Sequence, residues 1–186
     1  MKPKRTDVEI VETIARGDLA AVGELYDRYA TMLFPMLVRI IRDRAEAEDV
    51  LHDAFVLVGE RASQYVSTRG SVASWLVTMV RNLAIDRTRR RERRAARAKA
   101  DASERPAHEE AADEGTIDAE TDARLLRSAL ASLPEAQRAT LEKAFYDGLS
   151  YPEIAEAEGV PLGTVKSRAA RAIAALRETL SSRDTK

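Results

Sequence analysis

The feature that most limits this chain is a reversal of charge near its middle. From Arg81 to Lys99 nine basic residues stand against Asp86 and Glu92, a net charge of +7, and from Ala100 to Asp122 nine acids stand against Arg105, a net charge of −8. The acidic stretch has almost no apolar side chain larger than alanine apart from Ile117. It therefore cannot bury enough surface to offset the entropy lost on ordering. A single core running through all 186 residues is excluded, and the pattern predicts two small domains, 18–97 and 123–182, joined by a flexible acidic linker over 98–122. Residues 1–17 read as a tail and the start of the first helix, with Met1–Thr6 loose and basic, and 183–186 as a second tail. The whole-chain charge of −1 conceals both blocks. A basic block this dense calls for a polyanionic partner.

Before the linker, apolar residues recur at helical spacing in three segments. Leu25, Tyr29, Met32/Leu33, Met36/Leu37 and Ile40/Ile41 form the first, with Asp18 placed to cap it. Val50/Leu51, Ala54/Phe55 and Val58 form the second, which the spacing ends at Gly59. Trp75/Leu76, Met79/Val80 and Leu83/Ala84 form the third, which runs on into the arginines. The turn-rich loop Tyr65–Ser71 precedes it. No alternating strand pattern occurs, so the expected fold class is all-α: an N-terminal helical bundle and a C-terminal helix-turn-helix domain.

The C-terminal expectation rests on Leu149–Arg168. Ser150-Tyr-Pro-Glu153 reads as a capping box with Pro152 in the first turn, Gly159 suits a left-handed turn residue, and Pro161 prepares a second start. From Leu162 to Arg177 the only charged residues are Lys166, Arg168, Arg171 and Arg177, whereas Glu153, Glu156 and Glu158 fall on the preceding helix. A glycine turn between a supporting helix and a cationic second helix is the helix-turn-helix pattern, whose second helix enters the major groove. On this reading the cations lie in the groove unopposed by the acids. The plainer alternative is a helical hairpin with a solvated basic face.

Asn82–Arg94 is a second polyanion candidate, because cations beside an aromatic and a Gly/Ser loop suit single strands. Trp75, however, lies on the apolar stripe and reads first as core. Ala45–Val58 is amphipathic, with an acidic rim able to dock a basic helix. Catalytic and metal chemistry fare poorly. Cysteine is absent, His52 and His108 are far apart, and no Walker loop, dinucleotide fingerprint or serine elbow occurs. No cofactor, metal or small-molecule substrate is expected, and the chain is expected not to be an enzyme. Its longest apolar runs fall far short of the roughly 20 residues of a membrane span, and no signal-peptide core is present, so a cytoplasmic location is expected.

Four stretches in this order resemble a known family: Ala47–Phe55, Ser74–Arg87, Leu133–Arg138, and Gly148–Ala155 followed by Gly159–Arg168. They are similar to the extracytoplasmic-function, or group IV, sigma factors of bacterial RNA polymerase, over about Asp18 to Leu180. The resemblance implies that Glu48, Asp49, Asp53 and Phe55 dock the beta-prime clamp helices of core RNA polymerase, and that the beta flap is a further contact. It implies that Tyr65, Ser71, Trp75, Asn82, Asp86, Arg89 and Arg90 bind the non-template strand of the −10 promoter element. Thr164, Lys166, Ser167, Arg168 and Arg171 would contact the −35 duplex. The linker would thread toward the RNA exit channel, and an anti-sigma factor would hold the protein inactive, reaching the membrane only through that partner. Many relatives carry an aromatic after the loop glycine where this chain has Val72, which cannot stack on a base. Two readings compete: a duplex-binding repressor or activator independent of polymerase, and a metal-dependent nuclease using His52 with Asp49 or Asp53.

Overall fold

A computed structural model describes residues 5–101 and 128–181. The chain divides into two compact units, Met1–Gly115 and Thr116–Lys186. Among the described residues every regular element is helical.

The first unit holds α1 (Asp7–Ala15), α2 (Val22–Ile41), α3 (Arg44–Arg61) and α4 (Val72–Asp101), with 3-10 turns at Leu19–Ala21, Ala62–Gln64 and Ser67–Arg69. The helices α2, α3 and α4 pack mutually. Their core is the predicted stripes: Leu25, Leu33, Leu37 and Ile41 from α2, Val50, Leu51, Ala54 and Val58 from α3, Leu76, Val80 and Ala84 from α4, all buried. Four apolar side chains on one face sustain α2 across Pro35, which lacks the amide hydrogen a helix interior would use.

Several boundaries differ from the sequence reading. Asp18 makes no side-chain cap; it precedes the 3-10 turn, and α2 begins at Val22. Helix α3 does not stop at Gly59 but runs to Arg61. Glycine serves close packing there, since a Cβ at 59 would come within 3.3 Å of Leu19 Cδ2. Helix α4 continues through Asp101, so residues 98–101 of the expected linker are helical, and the rest of that linker lies outside the described residues.

Residues 1–17, expected to hold a tail and the start of the first helix, instead contain a separate helix α1, which contributes the buried Ile10, Val11 and Ile14. Thr6 opens it with a capping box: Thr6 Oγ1 accepts from the Glu9 amide at 3.3 Å, and the Thr6 amide donates to Glu9 Oε2 at 2.7 Å. Arg5 and Thr6 are therefore not loose. Arg5 pairs with Glu24, Asp7 receives the Arg28 guanidinium and the Tyr29 hydroxyl, and Arg28 also donates to the Arg5 carbonyl at 2.7 Å. Burial, then the bond to Asp7, pushes the Tyr29 hydroxyl up to about 12. Polar contacts thus pin the start of α1 to α2.

The second unit comprises α5, described over 128–131, then α6 (Glu135–Phe145), α7 (Tyr151–Glu158) and α8 (Leu162–Ser181). Ile154, Ala155 and Val165 form its central cluster, flanked by Ala144, Leu149, Tyr151 and Val160. Thr140 is fully buried, and its hydroxyl donates to the Ala136 carbonyl at 2.7 Å, so its polar atom is satisfied within α6.

Candidate nucleic-acid interface

The loop before α4 is held by its own side chains. The Tyr65 hydroxyl donates to the Gly70 carbonyl at 3.0 Å, and the Tyr65 ring packs on Trp75 with centroids 5.5 Å apart. Gly70 has φ 146°, and a Cβ there would meet Ser74 Oγ at 2.8 Å, so glycine is required. The Ser71 hydroxyl accepts from the Ser74 amide at 3.2 Å, capping α4. Trp75 is only partly buried, whereas Val72 is buried. The aromatic pair and capped helix start therefore fix the loop against the bundle.

Along α4, Asn82, Asp86, Arg89 and Arg90 are exposed at spacings that share one side of a helix. The neighbouring cations Arg87 and Arg91 have a different job. Arg87 Nε donates to Glu46 Oε1 at 2.8 Å, Arg91 donates to Glu46 Oε2 at 2.9 Å, and Arg91 also reaches the Ile41 carbonyl at 3.0 Å. The Glu46 bond, then its charge, raises the Arg87 pKa further. The +7 block is thus divided: two arginines fasten α4 to the α2–α3 corner while others remain on the surface. Arg81 is affected in the opposite sense, its pKa lowered first by burial and then by the charge of Arg89. Such like-charge crowding is relieved by a polyanion.

On α3, Glu48, Asp49 and Asp53 are exposed, and Glu48 lies 3.5 Å from Arg44. Phe55 departs from the expected surface role. It is 4% exposed and meets Tyr26 edge-on with centroids 5.0 Å apart. The α-helical period turns position 55 toward the core and leaves 49 and 53 outside. His52 is exposed, and among the described residues no group of three His, Asp or Glu side chains could hold a metal.

The helix-turn-helix is built as its residue types dictate. The Ser150 amide donates to Glu153 Oε2 at 2.6 Å and the Glu153 amide to Ser150 Oγ at 3.4 Å, completing the capping box. Gly159 takes the left-handed conformation with φ 65° and ψ 31°. On α8, Lys166 and Arg171 are exposed, Thr164 and Ser167 are partly buried, and the Ser167 hydroxyl donates to the Thr164 carbonyl at 2.9 Å.

Arg168 corrects the picture of an unopposed basic helix. Its guanidinium donates to Glu158 Oε2 at 2.7 Å, while Lys143 Nζ donates to Glu158 Oε1 at 2.8 Å. One carboxylate, 19% exposed, therefore ties α6, α7 and α8 together. Arg168 braces the recognition helix and is not offered to solvent as Lys166 is. The Lys143 bond holds the Glu158 carboxyl below the usual range, against a smaller opposing effect of burial, with the charge of Lys143 and the contact to Arg168 adding to the lowering. Because the folded pKa lies below the unfolded one, this stabilisation is present above about pH 4.3 and is lost as pH falls through the folded value. Glu158→Gln should cost up to about 1 kcal/mol at pH 7, after allowance for solvent screening, and should flatten the acid limb of a stability curve. Thermal melts from pH 7 to pH 3 check both, and an unchanged acid limb contradicts the assignment.

Among the described residues no helix is long and apolar enough to cross a membrane. The profile for Sigma-70 region 2 matches residues 25–94, and that for Sigma-70, region 4 matches residues 123–176. ECF RNA polymerase sigma factor SigK of Mycolicibacterium vanbaalenii is 31% identical over 173 residues, covering 92% of this chain and 87% of its own. SigK of Mycobacterium tuberculosis H37Rv is 32% identical over 177 residues, covering 92% and 91%. Among solved structures, Rhodobacter sphaeroides SigE in complex with the anti-sigma ChrR aligns at 31% identity, 94% and 98% coverage and a TM-score of 0.46. Both profiles fall on the surfaces just described, in the order the sequence motifs run, and the match to SigK extends through nearly the whole of both chains: this protein belongs to the extracytoplasmic-function sigma factors of the sigma-70 family.

Proposed function

We propose that this chain binds core RNA polymerase, directs it to promoters read at two places, and helps to open the −10 element. The supporting observation is a division of cationic surface between two units, each suited to a different form of DNA. In the second unit, Lys166 and Arg171 stand exposed on the recognition helix, with Thr164 and Ser167 beside them, a set able to meet base edges and phosphates of a −35 duplex. In the first unit, the fixed Tyr65–Ser71 loop beside Trp75, with Asn82, Asp86, Arg89 and Arg90 on α4, suits a strand whose bases have left the stack. Capture of such a base stabilises melting without covalent chemistry.

The exposed Glu48, Asp49 and Asp53 offer an acidic rim for the beta-prime clamp helices, and the C-terminal unit is the part assigned to the beta flap. In domain terms, 18–97 acts as region 2 together with the buried face of α1, and 123–182 as region 4. An anti-sigma factor is the assigned regulator. With polymerase and promoter as partners the protein acts in the cytoplasm.

The test is run-off transcription by core RNA polymerase on a pool of genomic promoter fragments, with and without this protein. New start sites that depend on the protein, sharing two upstream elements, are the expected result. Failure to bind core polymerase or to start anywhere new would replace this reading with that of a duplex-binding regulator.

A further inference from the structure

Glu46 stands in the first turn of α3, where Asp43 caps the helix by accepting from the Glu46 amide at 2.9 Å. A glutamate at that position ordinarily turns back to the amide of the capping residue, as Glu9 and Glu153 do at the starts of α1 and α7. Glu46 gives both oxygens to α4 instead: Oε1 accepts from Arg87 at 2.8 Å and Oε2 from Arg91 at 2.9 Å. A local task is exchanged for a tertiary one.

Exposure is uneven across this contact. The Glu46 side chain is 20% exposed, whereas those of Arg87 and Arg91 are 48% and 45% exposed. The acid is sheltered, and its two cations are half open to solvent. They share α4 with Arg90, Arg93, Arg94 and Arg97, all exposed. Such a row of cations binds any phosphate backbone, and each further phosphate contact strengthens that binding whether or not a promoter is present. Specificity is a difference of affinities, so cations that cannot tell sequences apart erode it.

We propose that Glu46 is a specificity-determining residue: by occupying Arg87 and Arg91 it withholds two cations of α4 from phosphates, so that binding away from promoters stays weak while Asn82, Asp86, Arg89 and Arg90 do the reading. The two arginines are not held alike. Arg91 has a second bond, to the Ile41 carbonyl at 3.0 Å, and Arg87 also feels the charges of Asp53 and Asp49. Loss of Glu46 therefore releases them in part, and the gain is one phosphate contact to two. The inference rests on the reading of α4 as a DNA-binding helix and adds to it a residue that acts without touching DNA.

The experiment titrates the full chain onto a fluorescent single strand of mixed sequence that carries no promoter element, between about 50 and 200 mM salt. On a single strand each phosphate contact contributes about 0.7 to the slope of log affinity against log salt. Glu46→Ala should bind more tightly and steepen the slope by about 0.7 to 1.4. Glu46→Gln, whose amide oxygen still accepts from one arginine while its NH2 faces the other, should gain about half as much. Combining Glu46→Ala with Arg87→Ala and Arg91→Ala should return the slope to the wild-type value. With core polymerase, run-off from templates without a promoter should rise in Glu46→Ala relative to promoter starts. Slopes that stay at the wild-type value in Glu46 variants shown by thermal melts to be folded overturn the inference. Where Glu46→Ala fails to fold, the arginine pair decides: Arg87→Ala with Arg91→Ala in the presence of Glu46 should leave the slope unmoved, and a shallower slope would place both arginines on phosphates already and overturn the inference. A wild-type chain that binds no strand at any salt sinks the reading of α4 itself, so the two failures are told apart.

Discussion

Phe55→Ala should destabilise the N-terminal unit by about 3–5 kcal/mol, the usual cost of emptying a phenylalanine site in a packed core. For a unit of this size each kcal/mol corresponds to about 4–8 °C, so melting should fall by about 12 °C or more. Capture by core polymerase should fail with it, because the helix carrying Glu48, Asp49 and Asp53 loses its support against Tyr26. Phe55→Leu, which refills most of the volume, should recover much of both. Asp49→Asn with Asp53→Asn should do the reverse. These residues are exposed, so melting should hold while affinity for core polymerase drops and becomes less salt-dependent. A Phe55→Ala protein that melts like the wild type would return position 55 to the docking surface. The paired measurements are a thermal melt and a pull-down with core polymerase at two salt concentrations.

The second large effect lies on α8. Replacing Lys166 and Arg171 together by alanine should weaken −35 binding about a hundredfold, taking about 1–3 kcal/mol for each base-reading contact. Base preference should relax at the corresponding positions, with melting unchanged, since both side chains are exposed. Arg168→Ala should behave differently. It removes a brace between α8 and Glu158, so stability should fall while the pattern of preferred bases stays. Titration of promoter variants by the polymerase-bound full chain, beside melts of each variant, separates reading from bracing. If Arg168→Ala relaxed base preference without lowering the melting temperature, Arg168 would be a reader after all.

These contrasts follow the line between what sequence patterns carry and what they omit. Period 3.6 in the apolar residues gave the three bundle helices, and Ser150, Gly159 and Pro161 gave the turn, because each acts on backbone within one or two helical turns. Helix α1 was legible too. Thr6 and Glu9 form a box of the same kind as Ser150 and Glu153, and Ile10, Val11 and Ile14 follow at helical spacing.

By itself the sequence determined the helical class, the division into two units, the cationic character of α8 and of the end of α4, and the family. Each is a property of composition or short-range spacing. Only the tertiary structure decided which charges are already engaged. Arg87 and Arg91 meet Glu46 across 41 and 45 residues, and Arg168 meets a Glu158 that also holds Lys143. It also decided that Phe55 turns inward. Pairing of side chains depends on which helix faces are brought within a few ångströms, and that is set by how all the apolar stripes pack at once, not by the residues nearby in the chain.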